Sequence, residues 1–182
     1  MRVTLVSSLH RRLLFSNSNV ILLEKFLSSS INDEVIIINS NFGMEIYYYS
    51  SIDYFDFIVE TVKFYGIKKI AIEKLKFENN NEECRVYQSF CNSLVTFSQY
   101  PQIFLAYTKK FVSIKLEHAY SKAIIPILDS YFAEVLNHLE TKGTLPHLDK
   151  VLKIRNKKSQ ESAYYNVIKE LILEILSNDH RN

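Results

Sequence analysis

Glu73 closes a short apolar run, Ile70-Ala71-Ile72, inside the stretch IKKIAIEKLKF from Ile67 to Phe77. A carboxylate at the end of a buried strand can hold a divalent metal through water, or activate a water for attack. The plainer reading is a solvated acid beside Lys68, Lys69 or Lys74, a pairing worth well under ~1 kcal/mol. A second set is basic. The segment KVLKIRNKK carries Lys150, Lys153, Arg155, Lys157 and Lys158 with no acid among them, a run that can touch phosphates or simply form a solvated face.

No other spacing supports catalysis. His118 and His138 stand alone on helix-like segments, no serine lies in a Gly-x-Ser-x-Gly elbow, and Glu82 and Glu83 suit the first turn of a helix. Cys84 and Cys91 fall about two helical turns apart, roughly 10 Å along the axis and too far for a disulfide. Without a Cys-x-x-Cys or a nearby histidine they form no metal site and are expected as core thiols in a reducing compartment. The glycines Gly43, Gly66 and Gly143 are isolated, and 3 in 182 residues is far below the usual share of about 7%. A phosphate-cradling loop needs glycines so that backbone amides can approach the anion. None can be built here.

The elements that would position these residues alternate along the chain. RVTLVSS reads as a first buried strand, and LHRRLLFSNSN as a loop. Ser18 or Asn19 would cap a helix that turns Val20, Leu23, Phe26 and Leu27 to one face. EVIIINS and MEIYYYS follow as strands about the turn NFG. Tyr47, Tyr48 and Tyr49 cannot all share one face, because successive strand side chains alternate. SIDYFDFIVETVKFYG is a helix ending at Gly66, with Ile52, Phe55, Ile58, Val59 and Val62 on one side. Strand four is IKKIAIEKL. A helix through NNEECRVYQSFCNSLVTFSQY comes next, with Tyr87, Phe90, Cys91, Leu94 and Phe97 inward, then PQIFLAYT as strand five. FVSIKLE reads as a strand or hairpin arm, and AIIPILDSYFAEVLNHLETKG as a helix with Pro126 in its first turn and Gly143 as its stop. KVLKIRNKK is expected as a late edge strand, and residues 160–177 as a terminal amphipathic helix. Strands alternating with helices imply an α/β domain with a mainly parallel sheet.

The 182 residues, 47% hydrophobic and 13% aromatic, suit one domain with a real core. The net charge of +2 selects no class of partner. No apolar run approaches the ~18 residues of a membrane span, and MRVTLVSSLHRR lacks the apolar region of a signal peptide. A soluble intracellular protein with no membrane partner is expected.

From Arg2 to Phe111 the order of elements resembles the ATPase core of the RecA-type strand-exchange recombinases, in the form of their divergent paralogues. VTLVSS, LHRRLLFSNSN and VILLEKFLSSSINDEVIIINS occupy the family's strand, phosphate loop, helix and second strand. EIYYYSSIDYFDFIVETVKFYGIKKIAIEKL is similar to its strand, long helix and metal-site strand. RVYQSFCNSLVTFSQYPQIFLAYTKKF is similar to the helix and fifth strand that follow. The chain departs from the family at SSLHRRLLFSNSN, which has neither the glycines nor the lysine of Gly-x-x-x-x-Gly-Lys-Thr, and at Glu73, where the family has Asp.

The resemblance implies a single three-layer α/β RecA-like domain over residues 1–182, with a mainly parallel sheet, a degenerate nucleotide site and residues 160–177 as an extension. It implies a nuclear, non-catalytic recombinase paralogue that pairs with an active paralogue and helps load or stabilise filaments of the main recombinase on single-stranded DNA in homologous recombination repair. Such a subunit has no cofactor of its own, ATP and Mg being held by a partner subunit. Arg11, Arg12 and Glu73 would then face that nucleotide in trans. Lys109, Lys110 and Lys115, with Lys150, Lys153, Arg155, Lys157 and Lys158, would meet DNA phosphates, and Tyr107 would stack on a base or pack in the core. Two alternatives remain: a structural RecA-like subunit of another assembly, such as the Elongator tRNA-modification ring, and a small nucleotide-sensing α/β domain.

Overall fold

The computed structural model of the chain describes residues 1–8, 15–40, 43–66 and 75–154. Four strands, β1 (Arg2–Ser8), β2 (Val35–Ser40), β3 (Gly43–Tyr48) and β4 (Leu75–Asn80), form a sheet in the order β2-β3-β1-β4. All three neighbouring pairs are antiparallel: Val3 lies opposite Tyr47 and Asn80, and Ile36 opposite Tyr47. Helix α1 (Asn17–Ile31) falls between β1 and β2 in the chain, and α2 (Phe55–Gly66) between β3 and β4. β1 and β2 therefore run in the same direction with β3 inserted between them, and β3 and β4 run together with β1 between them. This is the split β-α-β-β-α-β order of ferredoxin-like domains.

The expected RecA-like domain with a mainly parallel sheet is overturned by this pairing. The physical reason lies in burial. Strands buried on both faces lose the apolar–polar alternation that marks a half-solvated antiparallel sheet, and so read as parallel ones. In β2, Val35 to Ile38 are all buried. Val35 and Ile37 pack with Val6, Met44, Ile46 and Tyr48 against α1 and α2. Ile36 and Ile38 pack with Val3 and Tyr47 on the opposite face, beneath α3 (Glu83–Ser98), α4 (Pro101–Glu117) and α5 (Ile124–Thr141). The adjacent tyrosines Tyr47 and Tyr48 are both buried because each side of β3 has its own helical cover, while Tyr49, just past the strand, is exposed.

The other departures have the same origin. PQIFLAYT, expected as strand five, and FVSIKLE, expected as a strand or hairpin arm, together form α4. Pro101 stands in its first turn, and Phe104, Leu105, Tyr107, Thr108, Phe111, Val112 and Ile114 are all buried on the half of the helix that faces the core, so its first eight residues have the apolar density of a buried strand. KVLKIRNKK is helical rather than an edge strand as far as it is described, in a segment spanning 148–154 whose Val151 joins the α3–α5 core. Residues 67–74 of the expected strand four, and the expected helix at 160–177, lie outside the described residues. Cys84 is exposed and Cys91 half-buried, so Cys84 is not the core thiol it was expected to be.

The helix ends follow local chemistry. Ser16, rather than Ser18 or Asn19, caps α1: its hydroxyl accepts from the Asn19 N–H at 3.2 Å. α5 stops where Gly143 takes φ +65°, and the Thr144 and Gly143 amides return to the carbonyls of Leu139 and Glu140. Its start is capped from far away: the Glu34 carboxylate, just before β2, accepts from the Ala123 N–H at 3.1 Å.

Gly43 opens β3 opposite Ser40, and a Cβ there would sit 2.6 Å from the Val6 carbonyl oxygen of β1. Backbone cannot yield as a side-chain tip can. Gly43→Ala should therefore lower stability by about 2 kcal/mol, an overpacking cost, read as an earlier urea midpoint at unchanged slope. A midpoint equal to the parent's would show that the strands separate without cost.

Candidate functional site

Among the described residues, the polar group placed most unusually is Glu45. It projects from the middle of β3 onto the face covered by α3–α5, between Ile38 of β2 and Leu5 of β1 in the cross-strand row. The flanking positions Met44 and Ile46 point the other way, into the α1–α2 core. A carboxyl in such a place is costly unless it finds partners. It has two. The Tyr47 hydroxyl, two residues along the same strand, donates to Glu45 Oε2 at 3.0 Å. The Tyr107 hydroxyl, reaching down from α4, donates to the same oxygen at 2.8 Å.

α3 walls the cluster with rings. Phe90 meets Tyr47 edge-on with centroids 6.4 Å apart, and Phe97 lies against Tyr107 at 5.2 Å. Burial drives the Glu45 carboxyl upward, the bonds from Tyr107 and Tyr47 pull it part of the way back, and the balance stands at about 7. Both phenols are pushed well above their ordinary value, first by burial and then by the nearby carboxylate. They remain donors at any ordinary pH, and Glu45 is the member of the cluster that can change charge near neutrality.

Two further acids serve the backbone. Glu24 of α1 accepts from the Ile37 N–H of edge strand β2 at 2.9 Å, and its other oxygen lies 3.4 Å from His118 Nε2 at the end of α4. Burial raises its carboxyl, against the pull of His118. Asp53 caps α2 through the Phe55 N–H and also takes bonds from Tyr48 and Asn79, with Arg2 3.7 Å away. Partial burial acts to raise it, but the bonds from Asn79, Phe55 and Tyr48, helped by Arg2, outweigh that and leave it lowered.

The residues singled out by sequence are scattered. Arg11, Arg12, Glu73, Arg155, Lys157 and Lys158 lie outside the described residues. Lys109 is exposed on α4, Lys110 is half-buried there and acts on Glu24, and Lys115 is paired with Asp129 of α5. Lys150 and Lys153 are exposed on the 148–154 segment. Tyr107 is 2% exposed with its hydroxyl on Glu45, so it offers no face to a base. Sequence reasoning passed over Glu45. The available signal was an acid between Met44 and Ile46 in a strand whose neighbours are apolar on both faces. No group of histidine, cysteine and carboxylate side chains among the described residues is arranged to hold a metal, and none of their helices is long and apolar enough to cross a membrane.

Comparison with known proteins gives no relative: no family model, curated protein or solved structure matches the chain.

The sign of the pH effect at Glu45 follows from its raised value. An unfolded glutamate loses its proton near the ordinary 4.5, whereas the folded one keeps it to about 7. Between these limits the folded state holds the extra proton, so stability falls as pH rises through that window and levels off above it. Allowing for the partial exposure of the residue, the loss should be about 2 kcal/mol. Glu45→Gln, which keeps an acceptor for both phenols, should remove it. Denaturant midpoints of the two proteins from about pH 5 to pH 8 measure the difference, and parallel curves would refute it.

Proposed function

We propose that the chain works as a non-catalytic binding subunit, holding a partner protein on the outer face of α1 and α2. One observation carries this reading: a contiguous apolar strip on that face. Phe26 of α1 stacks on Phe57 of α2 with centroids 6.2 Å apart, and lies 6.1 Å from Tyr65, which meets Phe64 edge-on. Phe26 is 43% exposed, Phe57 38% and Phe64 74%, and Leu22, one turn before Phe26, is 56%. Isolated exposed apolar residues are ordinary, but a joined aromatic strip is the mark of a surface that another molecule covers. Its chemistry suits an apolar helix or groove on the partner.

Phe57→Ser with Phe64→Ser should abolish capture of that partner from native cells while shifting the melting temperature by no more than about 2 °C. Retention of every captured protein would refute the docking face. The identity of what is lost separates the finer readings. A recombinase or recombinase paralogue supports the role in homologous recombination, and tRNA-modification subunits support the ring-type assembly.

A second reading, contact with single-stranded DNA, is favoured by Lys109, Lys150 and Lys153, which are exposed and in no ion pair among the described residues. Phosphate contacts of this kind give binding that weakens steeply with salt and shows little sequence preference. Reversing the three charges to glutamate should weaken binding at least tenfold at low salt, an order-of-magnitude expectation. Absence of measurable binding by the parent at low salt would end this reading.

A further inference from the structure

We propose that the free edge of β4 pairs with the same edge of a second copy of this chain, antiparallel, in the register that sets Lys76 of each copy opposite Glu78 of the other. This surface is distinct from the outer face of α1 and α2.

The two edges of the sheet are finished differently. At the β2 edge the Tyr49 N–H donates to the Glu34 carbonyl, which fixes the phase of the ladder. Ile36 and Ile38 turn their backbone groups toward β3, and Val35, Ile37 and Asn39 turn theirs outward. That edge is closed: α1 lends the Glu24 carboxylate to the outward Ile37 N–H, with His118 of α4 beside it. Carried across the sheet, the same phase makes Val3, Leu5 and Ser7 of β1 bond to Asn80, Glu78 and Lys76 of β4. Leu75, Phe77 and Asn79 therefore turn their N–H and carbonyl groups away from the sheet. Among the described residues no backbone bond beyond the β1 ladder reaches those groups. An open row of this kind is a template for another strand.

The side chains choose the occupant. Lys76 and Glu78 share one face of β4, are exposed, and stand in no ion pair among the described residues. On the other face Leu75 and Phe77 are only partly buried against the α1–α2 core. A lone lysine on an edge strand discourages pairing, but here the opposite charge follows two residues later on the same face. Antiparallel pairing about Phe77 brings the outward groups of two copies together, Phe77 with Phe77 and each Leu75 with Asn79, for about six backbone hydrogen bonds. Between them each Lys76 faces a Glu78. Sliding one strand by two residues, the smallest step that keeps the outward groups facing, sets Lys76 against Lys76 or Glu78 against Glu78. Like charges directly opposite are destabilising, so the charges select one register. The arrangement has a two-fold axis, and because the β2 edge is closed it stops at two copies, joining their four-stranded sheets into one.

Sedimentation equilibrium of the full chain tests this. A dimer should dominate at about 100 μM and dissociate toward about 1 μM, as suits a contact this small. Lys76→Glu and Glu78→Lys each set like charges opposite and should each weaken the dimer at least about tenfold. The two variants mixed should form a heterodimer, and Lys76→Glu combined with Glu78→Lys in one chain should restore the homodimer, since both arrangements put opposite charges face to face. Both positions are exposed, so the fold is kept, and far-UV circular dichroism checks it. Phe57→Ser with Phe64→Ser should leave the dimer intact, so that the two surfaces fail separately, and loss of the dimer there would overturn the edge contact. A parent that stays monomeric at about 100 μM would overturn the proposal and leave the edge to a strand of another protein. So would a dimer that survives the single reversals, or reversals that mixing does not rescue.

Discussion

The structure depends on a four-stranded sheet that is covered on both faces by helices of the same chain. β3 carries the constraint most fully, having β1 and β2 on its edges, α1 and α2 beneath, and α3 to α5 above. Nearly every position on it must therefore be apolar or satisfied within the protein. Tyr47 and Tyr48 meet this requirement in different ways, the first with its hydroxyl on Glu45 and the second with its hydroxyl on Asp53. Gly43 meets it by having no side chain where the Val6 carbonyl passes.

The same constraint explains what the sequence could and could not reveal. The succession of β1, α1, β2, β3, α2 and α3 is legible, because each has a short apolar run or a helical period with a turn signal beside it. Strand direction is not legible. A β-α-β unit looks the same whether its strands become neighbours or, as here, admit a third strand between them, and two-sided burial erases the alternation that would distinguish the cases. α4 was hidden by the converse effect. With seven of its seventeen residues buried, its run PQIFLAYT has the density of a core strand. Only the spacing over the next two turns, through Phe111, Val112 and Ile114, gives the helical period. The expectation of a mainly parallel sheet rested on these two ambiguities and falls with them.

The acids divide by what they bond. Glu24, Glu34 and Asp53 accept from backbone N–H groups at a strand edge or a helix start. These groups lack partners in the regular structure, and each acid supplies one; burial still raises the Glu24 carboxyl, whereas at Asp53 the hydrogen bonds outweigh burial and lower it. Such acids close the edges of a fold. Glu45 has no backbone donor among its described bonds and is met only by two phenols, whose weaker donation leaves burial as the stronger influence.

The two helical layers also differ in how completely the core uses them. In α5 the apolar residues Ile124, Ile125, Leu128, Phe132, Val135, Leu136 and Leu139 are all buried. In α1 the core takes Val20, Leu23, Leu27 and Ile31, yet Ile21, Leu22 and Phe26 remain exposed on the opposite side. A helix that only had to cover the sheet would carry polar residues there, as surface helices do. α2 repeats the pattern with Phe57 and Phe64 outside and Ile58 and Val62 within. Apolar side chains on the outer faces of two adjacent helices, joined by ring contacts, are hard to account for by the needs of this core. On the docking role proposed for this face, they would be buried a second time, beneath a partner protein.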